Sequence, residues 1–285
     1  MAAVSMLLSS CVGDLHTNRV IANIGFDPII GHDTRAEESV PFPLGRTFNV
    51  WATNVSDGSI YIDNESIAYK DGGWTSSQKW PMTGLSFEAY SPSSISPEFS
   101  HDKGIMIKDF DCSKGDVDIL VAHTDNADMG VDTLVTLPFE HILSRIEFRM
   151  LESMSEEMSV KVRKIEMIGF ASRGDFSSRS KGKWTVGNSD FSYVIFDVET
   201  GVDLTSEPIY LGEEFYTIPQ LCTAKVKVSF DVKYGSAEWI PQEEEIEELD
   251  TLWEPNTHYT YTLNLTESKL TYTTGISSWN NREQL

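Results

Sequence analysis

The cysteine at position 11 lies in a pattern that could carry covalent chemistry. Leu8, Ser9 and Ser10 precede it, which places a branched apolar residue and two small residues before a thiol. A signal peptidase binds small side chains beside its cut, and a cysteine exposed by that cut can accept lipid. The pattern resembles a bacterial lipobox and predicts a signal segment over residues 1–11, with lipidation at Cys11. The alternative is a chance Ser-Ser-Cys, because only ten residues precede Cys11 and none of them is Lys or Arg.

Motifs for nucleophilic, zinc, thiol-redox or phosphate chemistry are missing from the sequence. It contains no GxSxG, HExxH, CxxC or phosphate-binding loop. His141 and Ser144 have the residue types of a base and a nucleophile, but at strand spacing their side chains point to opposite faces. The six histidines are scattered singly, which gives no metal pattern. We predict that the protein is not an enzyme and binds no cofactor or metal, while a triad built from distant segments stays open.

A cluster of aspartates around Lys114-Gly115 resembles a calcium loop only weakly. Its members are Asp109, Asp111, Asp116 and Asp118. The glycine is misplaced for an EF-hand, and the Lys114 ammonium would repel the ion. A hairpin turn with solvated aspartates is therefore the preferred interpretation.

Composition restricts the partners and the architecture. The 285 residues carry a formal net charge of -22, which argues against a nucleic-acid partner because phosphate contacts need clustered Lys and Arg. No apolar stretch reaches roughly 18 residues, so no membrane-spanning helix is expected. Three cysteines do not form a disulfide scaffold, and we expect Cys112 and Cys222 to be free buried thiols.

Alternation of apolar and polar residues is the dominant pattern along the chain. It is clearest over residues 224–234 and 259–266, and it recurs in 20–26, 48–52 and 117–121. A period of two indicates strands with one buried face, and the turn residues between them favour antiparallel β-sandwiches. We expect a boundary near Pro138, which gives an N-terminal domain over residues 12–137 and a C-terminal domain over residues 138–285.

Three segments need a separate interpretation. Residues 142–158 match both a helix face and a strand, and the surrounding strands favour a strand through Met150 followed by a polar turn. A change of phase between Val162 and Ile165 predicts a β-bulge near Lys164. The glutamate-rich stretch from Gln242 to Asp250 is interpreted as a solvated loop.

Tryptophans in or beside predicted turns allow two interpretations. They are Trp74, Trp80, Trp184, Trp239, Trp253 and Trp279. Such side chains can stack on sugars, as in glycan-binding modules, or they can plug the ends of a sandwich with their N–H groups at the rim. The second interpretation is preferred.

In chain order, these segments resemble the fimbrillin family, the subunits of type V pili, and its Mfa-like branch in particular. The resemblance rests on the lipobox, on the strand that leads into His32-Asp33-Thr34-Arg35-Ala36, and on several strand-and-turn segments that follow in family order. They are YIDNESIAYKDGGW (61–74), KWPMTGLSFEAYSP (79–92), VDILVA (117–122), LPFEHILSRIEF (137–148), YTIPQ (216–220), YTYTLNL (259–265) and ISSWN (276–280).

The resemblance implies an all-β fold of two tandem transthyretin-like antiparallel β-sandwich domains. It also implies a structural or adhesive fimbrial subunit that is exported as a lipoprotein and anchored by lipid in the outer membrane at the cell surface. An arginine-specific protease would cut between Arg35 and Ala36 and remove the first strand. Strand exchange with other fimbrillin subunits would then fill the groove. The alternative is a non-polymerising surface lipoprotein that binds glycans, and glycans or proteins of host or bacterial surfaces are the candidate ligands.

Two short sequences resemble the O-glycosylation motif of the bacteria that carry such pili. They are Asp132-Thr133-Leu134 and Asp250-Thr251-Leu252. The resemblance implies glycans on Thr133 and Thr251, although motifs this short also arise by chance.

Overall fold

The computed structural model describes residues 22–31, 39–127, 134–180 and 183–279. All regular secondary structure in these ranges is β-strand, in agreement with the all-β prediction. Within them the structure has no helix with the length and apolar character needed to cross a lipid bilayer. We number the strands in chain order.

The first unit is an eight-stranded sheet that closes on itself. Its order is β10-β9-β6-β3-β4-β5-β1-β2, and β10 also pairs with β1, which completes a ring. The strands are β1 (Asn23–Ile30), β2 (Val40–Pro41), β3 (Thr47–Asn54), β4 (Ile60–Lys70), β5 (Gly73–Lys79), β6 (Leu85–Ser91), β9 (Leu120–Ala127) and β10 (Val135–His141). Closure removes the free edges that an open sheet of this size would expose.

Aromatic side chains fill the interior of this ring. Alternate residues of each strand point inward, so that one face of the sheet becomes the core. The largest inward side chains are Phe26, Phe42, Phe48, Trp74, Trp80, Phe87 and Phe139. Many of these rings meet edge to face, which is a favourable arrangement of their quadrupoles.

The second unit is a sandwich of two open sheets. One sheet has the order β16-β11-β22-β23, with β17 beside β11, and the other has the order β15-β12-β19-β20. The strands are β11 (Ser144–Ser153), β12 (Met158–Phe170), β15 (Phe191–Asp203), β16 (Ile209–Tyr210), β17 (Phe215–Thr217), β19 (Lys225–Tyr234), β20 (Ile240–Ile246), β22 (Thr257–Thr266) and β23 (Leu270–Ser278). A separate pair joins β18 (Leu221–Cys222) to β21 (Thr251–Leu252). The inward faces of both sheets share one apolar core.

A third sheet joins the two units. Its order is β14-β13-β8-β7, from strands β7 (Glu98–Ser100), β8 (Gly104–Asp111), β13 (Arg173–Ser177) and β14 (Trp184–Val186). The pairing of β8 with β13 connects the two halves of the sequence. A separate apolar cluster lies at this junction and includes Trp51 and Tyr90 of the ring, Phe176 of β13, and Trp279.

Several local predictions are confirmed. Residues 144–153 form a strand, with a turn before Met158. The pairing register of β12 shifts between Val162 and Lys164 against both of its neighbours, which is the predicted bulge. The alternating residues Tyr259, Tyr261, Leu263 and Leu265 of β22 are all buried.

The prediction of a loop over Gln242–Asp250 is wrong for its first half. Residues 240–246 form β20, which pairs with β19 along its whole length. The carboxylates of Glu243 and Glu245 lie 3.0 and 2.8 Å from the ammonium groups of Lys227 and Lys225, while Ile246 is buried. Cross-strand charge pairs on the wet face make an acidic strand compatible with a sheet.

Two further features differ from the expected plan. The pairings of β1 with β10 and of β11 with β22 are parallel, so the sheets are not purely antiparallel. The expected boundary between residues 137 and 138 lies inside β10, and the chain leaves the ring only at Ile142 and Leu143. The tandem transthyretin-like arrangement itself stays a prediction.

Candidate functional site

Strand β1 is the segment that closes the ring, and neighbours hold it on both edges. On one edge, residues 26–30 pair in parallel with residues 135–139 of β10. On the other edge, its first half pairs with β5 and its last two residues pair with β2. Further backbone bonds run from Gly31 N to Phe139 O at 2.8 Å and from Phe42 N to Pro28 O at 3.1 Å. Pro28 therefore lies inside the strand and does not end it.

The inward side chains of β1 belong to the core of the ring. Ile24, Phe26 and Ile30 are buried, and Phe26 is only 1% exposed. The Phe26 ring contacts the rings of Phe48 and Phe87 edge to face, at centroid distances of 5.8 and 5.7 Å. Without β1, the structure would have a slot between β10 on one side and β5 and β2 on the other. The slot would offer unpaired backbone groups along both walls and an aromatic floor.

A cleft of about 210 Å³ lies at the end of β1, where the ring meets the sandwich. Ile30 and Val40 line one side of it and Trp279, the residue that follows β23, lines the other. The Trp279 ring stacks on the His141 ring at 4.1 Å and on the Tyr216 ring at 5.3 Å. Because His141 is the last residue of β10, the C-terminal strand is attached to the strand that pairs with β1.

Ion pairs hold the polar side chains of this cleft. Asp118 lies 2.8 Å from Nδ1 of His141 and 3.7 Å from the guanidinium of Arg46. The Arg145 guanidinium donates from Nε to Glu214 at 2.7 Å and lies 6.0 Å from the centroid of the Trp279 ring. Burial, together with the nearby carboxylates of Asp118 and Glu214, raises the pKa of the Tyr216 hydroxyl. Because these polar side chains have partners within the protein, the cleft has the character of a structural joint.

Comparison with family models matches the chain to the fimbrillin-like family over residues 34–279. The chain belongs to this family. Membership makes it a fimbrial or adhesive subunit of the cell surface that associates with other fimbrial subunits. Comparison with curated proteins gives no match.

Solved structures show the same fold at low sequence identity. A fimbrial protein from Bacteroides vulgatus ATCC 8482 has a TM-score of 0.68 and 15% identity, with 90% of this chain and 99% of that chain covered. A candidate cell adhesion protein from Parabacteroides distasonis ATCC 8503 has a TM-score of 0.55 and 10% identity, over 92% and 99% of the two chains. A similar candidate from Bacteroides uniformis ATCC 8492 has a TM-score of 0.54 and 13% identity, over 90% and 99%.

Most of the site residues predicted for the fimbrillin lie outside the described residues. Cys11, Arg35, Ala36 and Thr133 belong to this group. Arg35 and Ala36 fall between Gly31, directly after β1, and Ser39, directly before β2. Thr251 is described: it is half-buried, and its hydroxyl donates a hydrogen bond to the Leu249 carbonyl at 2.7 Å. Glycosylation of Thr133 and Thr251 stays a prediction.

The fimbrillin does not bring His141 and Ser144 together as a base and a nucleophile. His141 pairs with Asp118, whereas the Ser144 hydroxyl donates to the Glu254 carbonyl at 2.8 Å. Within the described ranges, no group of three or more His, Cys, Asp or Glu side chains could hold a metal ion.

The two described thiols are free and buried, as predicted. Burial raises the pKa of both, and the pKa of Cys222 reaches about 12. A thiol with a raised pKa in an apolar site is a poor nucleophile. Both cysteines therefore act as core residues.

Most tryptophans plug the fold and do not present a platform for sugars. Trp74, Trp80, Trp253 and Trp279 are buried. The Trp253 Nε1 donates to the Tyr261 hydroxyl at 2.9 Å, and Trp184 Nε1 donates to the Ile142 carbonyl at 2.8 Å. Both N–H groups have partners, as expected, although Trp253 lies in the sandwich core and not at its rim.

No local sequence pattern indicates the joint at Trp279 or the parallel pairing that holds β1. The residues of the joint come from positions 46, 118, 141, 145, 214, 216 and 279, which only the tertiary fold brings together. The alternation over residues 20–26 is the local pattern that predicts a strand with a buried face here, and β1 covers residues 23–30.

Proposed function

We propose that this fimbrillin is exported as a lipoprotein and assembled by protease-gated strand exchange. Lipid on Cys11 would anchor the precursor in the outer membrane. An arginine-specific protease would then cut between Arg35 and Ala36 and leave β1 without a covalent link to the rest of the fold. A strand from another subunit would take its place. The observation that carries the proposal is the position of β1, which closes the ring, ends beside the predicted cut and is paired on both edges.

The slot under β1 has the properties of a strand-acceptor site. A donor strand would form main-chain hydrogen bonds with both walls, and the pockets of Ile24, Phe26 and Ile30 would set its register. Burying each such side chain contributes about 1.5–3 kcal/mol. Ordering the donor opposes this gain, so β1 and the donor compete for the slot on similar terms once the chain is cut.

Two segments are candidates for the donor strand. One is the C-terminal stretch from Leu270 to Trp279, and the other is the N-terminal tail freed by the cut. The first must leave a complete register with β22 and withdraw the buried Trp279 ring from its stack on His141. The second needs no rearrangement of the sandwich.

A competition experiment tests the proposal. The purified chain is cut with trypsin under limiting conditions, and the new N-terminus and the size distribution are measured over a range of concentrations. We expect a terminus at Ala36 and concentration-dependent oligomers. A synthetic peptide of residues 22–31, ANIGFDPIIG, should suppress these oligomers by refilling the slot.

The matched control is the same peptide with Ile24→Asp and Phe26→Asp, which should not compete because it would bury two carboxylates. The variant Arg35→Ala should stay uncut at this bond and form no oligomer larger than a dimer. Oligomers larger than a dimer that both peptides leave unchanged, or that form equally well in Arg35→Ala, would refute strand exchange through this slot.

Lipidation needs its own test, because the slot can function without an anchor. Expressed with a complete signal in a host that lipidates proteins, the chain should take up labelled palmitate and partition into detergent. Equal labelling of Cys11→Ala would refute the lipobox.

A further inference from the structure

Among the described residues, no strand pairs with the outer edge of β23, which is a long edge of the sandwich. It spans nine residues, and within the described part of the chain it pairs only with β22. The backbone groups on its other edge can bond to another strand, as in any open sheet. The opposite edge of the same sheet consists of β16 and β17, which are two and three residues long.

The other long edges of the sandwich carry charges that disfavour strand addition. Strand β20 contains Pro241 and three consecutive glutamates at 243–245, and β15 contains Asp197, Glu199 and Asp203. Charged residues and proline are the usual protection of an exposed edge. The sequence of β23 is LTYTTGISS and has no charged residue, although the chain carries a net charge of -22. An uncharged edge in so acidic a chain indicates a surface suited to pairing.

The core-side face of β23 is left uncovered at Ile276. Ile276 is the Cα partner of Tyr259, and Tyr272 is the partner of Leu263, so both point to the core side of the sheet. Tyr259 and Leu263 are buried, but Ile276 is 66% exposed. The second sheet therefore does not reach Ile276, and an added strand would have an apolar side chain to cover.

We propose that β23 pairs with β23 of a second copy of this chain, in antiparallel orientation about a two-fold axis at Thr274. This register places Tyr272 opposite Ile276 of the second copy, and Thr274 opposite its own equivalent. Aromatic with β-branched pairs and threonine pairs are both favourable across antiparallel strands. The two open sheets become one continuous sheet across the dimer, and both Ile276 side chains are covered.

The orientation also keeps acidic regions apart. The Tyr272 hydroxyl donates to the Glu248 carbonyl at 3.5 Å, which places the glutamate-rich end of β20 beside Tyr272. In the antiparallel register the two Tyr272 residues are offset by four positions, or about 14 Å along the strands. This distance exceeds the Debye length of about 8 Å at physiological ionic strength. A parallel register would bring the two acidic ends side by side.

The dimer does not depend on strand exchange, so its test uses the full uncut chain. Sedimentation equilibrium over a wide concentration range should show a reversible equilibrium between the monomer and twice its mass. Thr274→Lys and Thr274→Glu should each weaken association at least tenfold, because like charges then meet on the two-fold axis. An equimolar mixture of the two variants should dimerise again, because Lys then faces Glu.

The control variant is Val194→Lys, which adds the same charge to the β15 edge at a residue that is 48% exposed. It should leave the association unchanged, and thermal unfolding should confirm that each variant is folded. A wild-type chain that stays monomeric up to about 1 mM would overturn the proposal. So would a dimer that tolerates both Thr274 variants, or a mixture of them that fails to restore association.

Discussion

The first and last strands that the structure describes are similar in length but are held in different ways. Strand β1 has partners on both edges, and its inward side chains reach the centre of the aromatic core. In the part of the chain that the structure describes, β23 has a partner on one edge only. Its buried residues stand at its two ends, Leu270 in the sandwich and Trp279 just beyond the strand at the joint. Its middle is largely exposed.

This difference shows which strand would leave a groove that only a matching strand can fill. Loss of β1 would uncover two walls of backbone groups and a row of apolar pockets, which only a strand of matching pattern can fill. Loss of β23 would uncover one edge of β22 and little apolar area. The ring therefore suits a role as a strand acceptor, whereas the edge of β23 suits a surface contact in which the strand stays in place.

The largest effect is expected when one aromatic side chain is truncated in each strand. Phe26→Ala should lower the free energy of unfolding by about 3–5 kcal/mol, because it removes a fully buried ring from a close-packed core. Tyr272→Ala should lower it by about 1 kcal/mol, since that side chain is half-buried at an edge. Urea unfolding of both variants measures the difference. Equal losses would show that the two strands contribute alike and would remove the basis of the contrast.

A second test removes the attachment of β23 to the ring. Trp279→Ala deletes the stack on His141 and Tyr216, and we expect a loss of about 2 kcal/mol. Hydrogen exchange should accelerate first at the C-terminal end of β23, with the amides of β22 and β1 much less affected. Trp279→Phe keeps a stacked ring and should recover most of the protection. Unchanged exchange in β23 after Trp279→Ala would mean that the joint does not hold the strand.

Sequence patterns predicted that β22 and most of β1 are strands, but they did not predict which strands pair with β1. Period-two alternation identified β22 and most of β1, because each strand presents one face to an apolar core. The parallel partner of β1 is more than 100 residues away, and no local pattern encodes such a pairing. The same limit applies to β13, whose pairing with β8 crosses the boundary expected near Pro138.

Two features were missed because the partners of the residues concerned cannot be read from the local sequence. The run Glu243–Glu245 looks like a solvated loop until Lys225 and Lys227 of the neighbouring strand are known to neutralise its outward carboxylates. Trp279 is buried, as expected of a tryptophan that plugs the end of a packed unit, but only the fold reveals that its ring lies between residues from both units. In both cases the partner residues are distant in sequence and become neighbours only in the folded protein.

The smallest expected effect is a pH dependence that belongs to the ring and not to the sandwich. His123 of β9 hydrogen bonds to the buried Glu88 of β6, which also accepts from Arg179, and its other nitrogen contacts Asp125. The hydrogen bond to Glu88, assisted by Asp125, raises the pKa of His123 from 6.5 to about 9 despite partial burial. Because the folded-state pKa is the higher one, this stabilisation is complete below pH 6.5 and is lost as the pH rises through 9.

We expect the effect to be about 1 kcal/mol, because the His123 side chain is 39% exposed and solvent screens its charge. The measurement is the difference in urea midpoint between the wild type and His123→Gln at pH 6.5 and at pH 9.5. The difference in midpoint should be largest at pH 6.5 and should shrink toward zero at pH 9.5. The contributions of other titrating groups are the same in both proteins and cancel. Hydrogen exchange should place the loss in β6 and β9 and leave β22 unchanged. A difference that stays constant with pH would mean that the charge of His123 does not stabilise the ring, and an equal response in β22 would mean that the ring and the sandwich unfold as one unit.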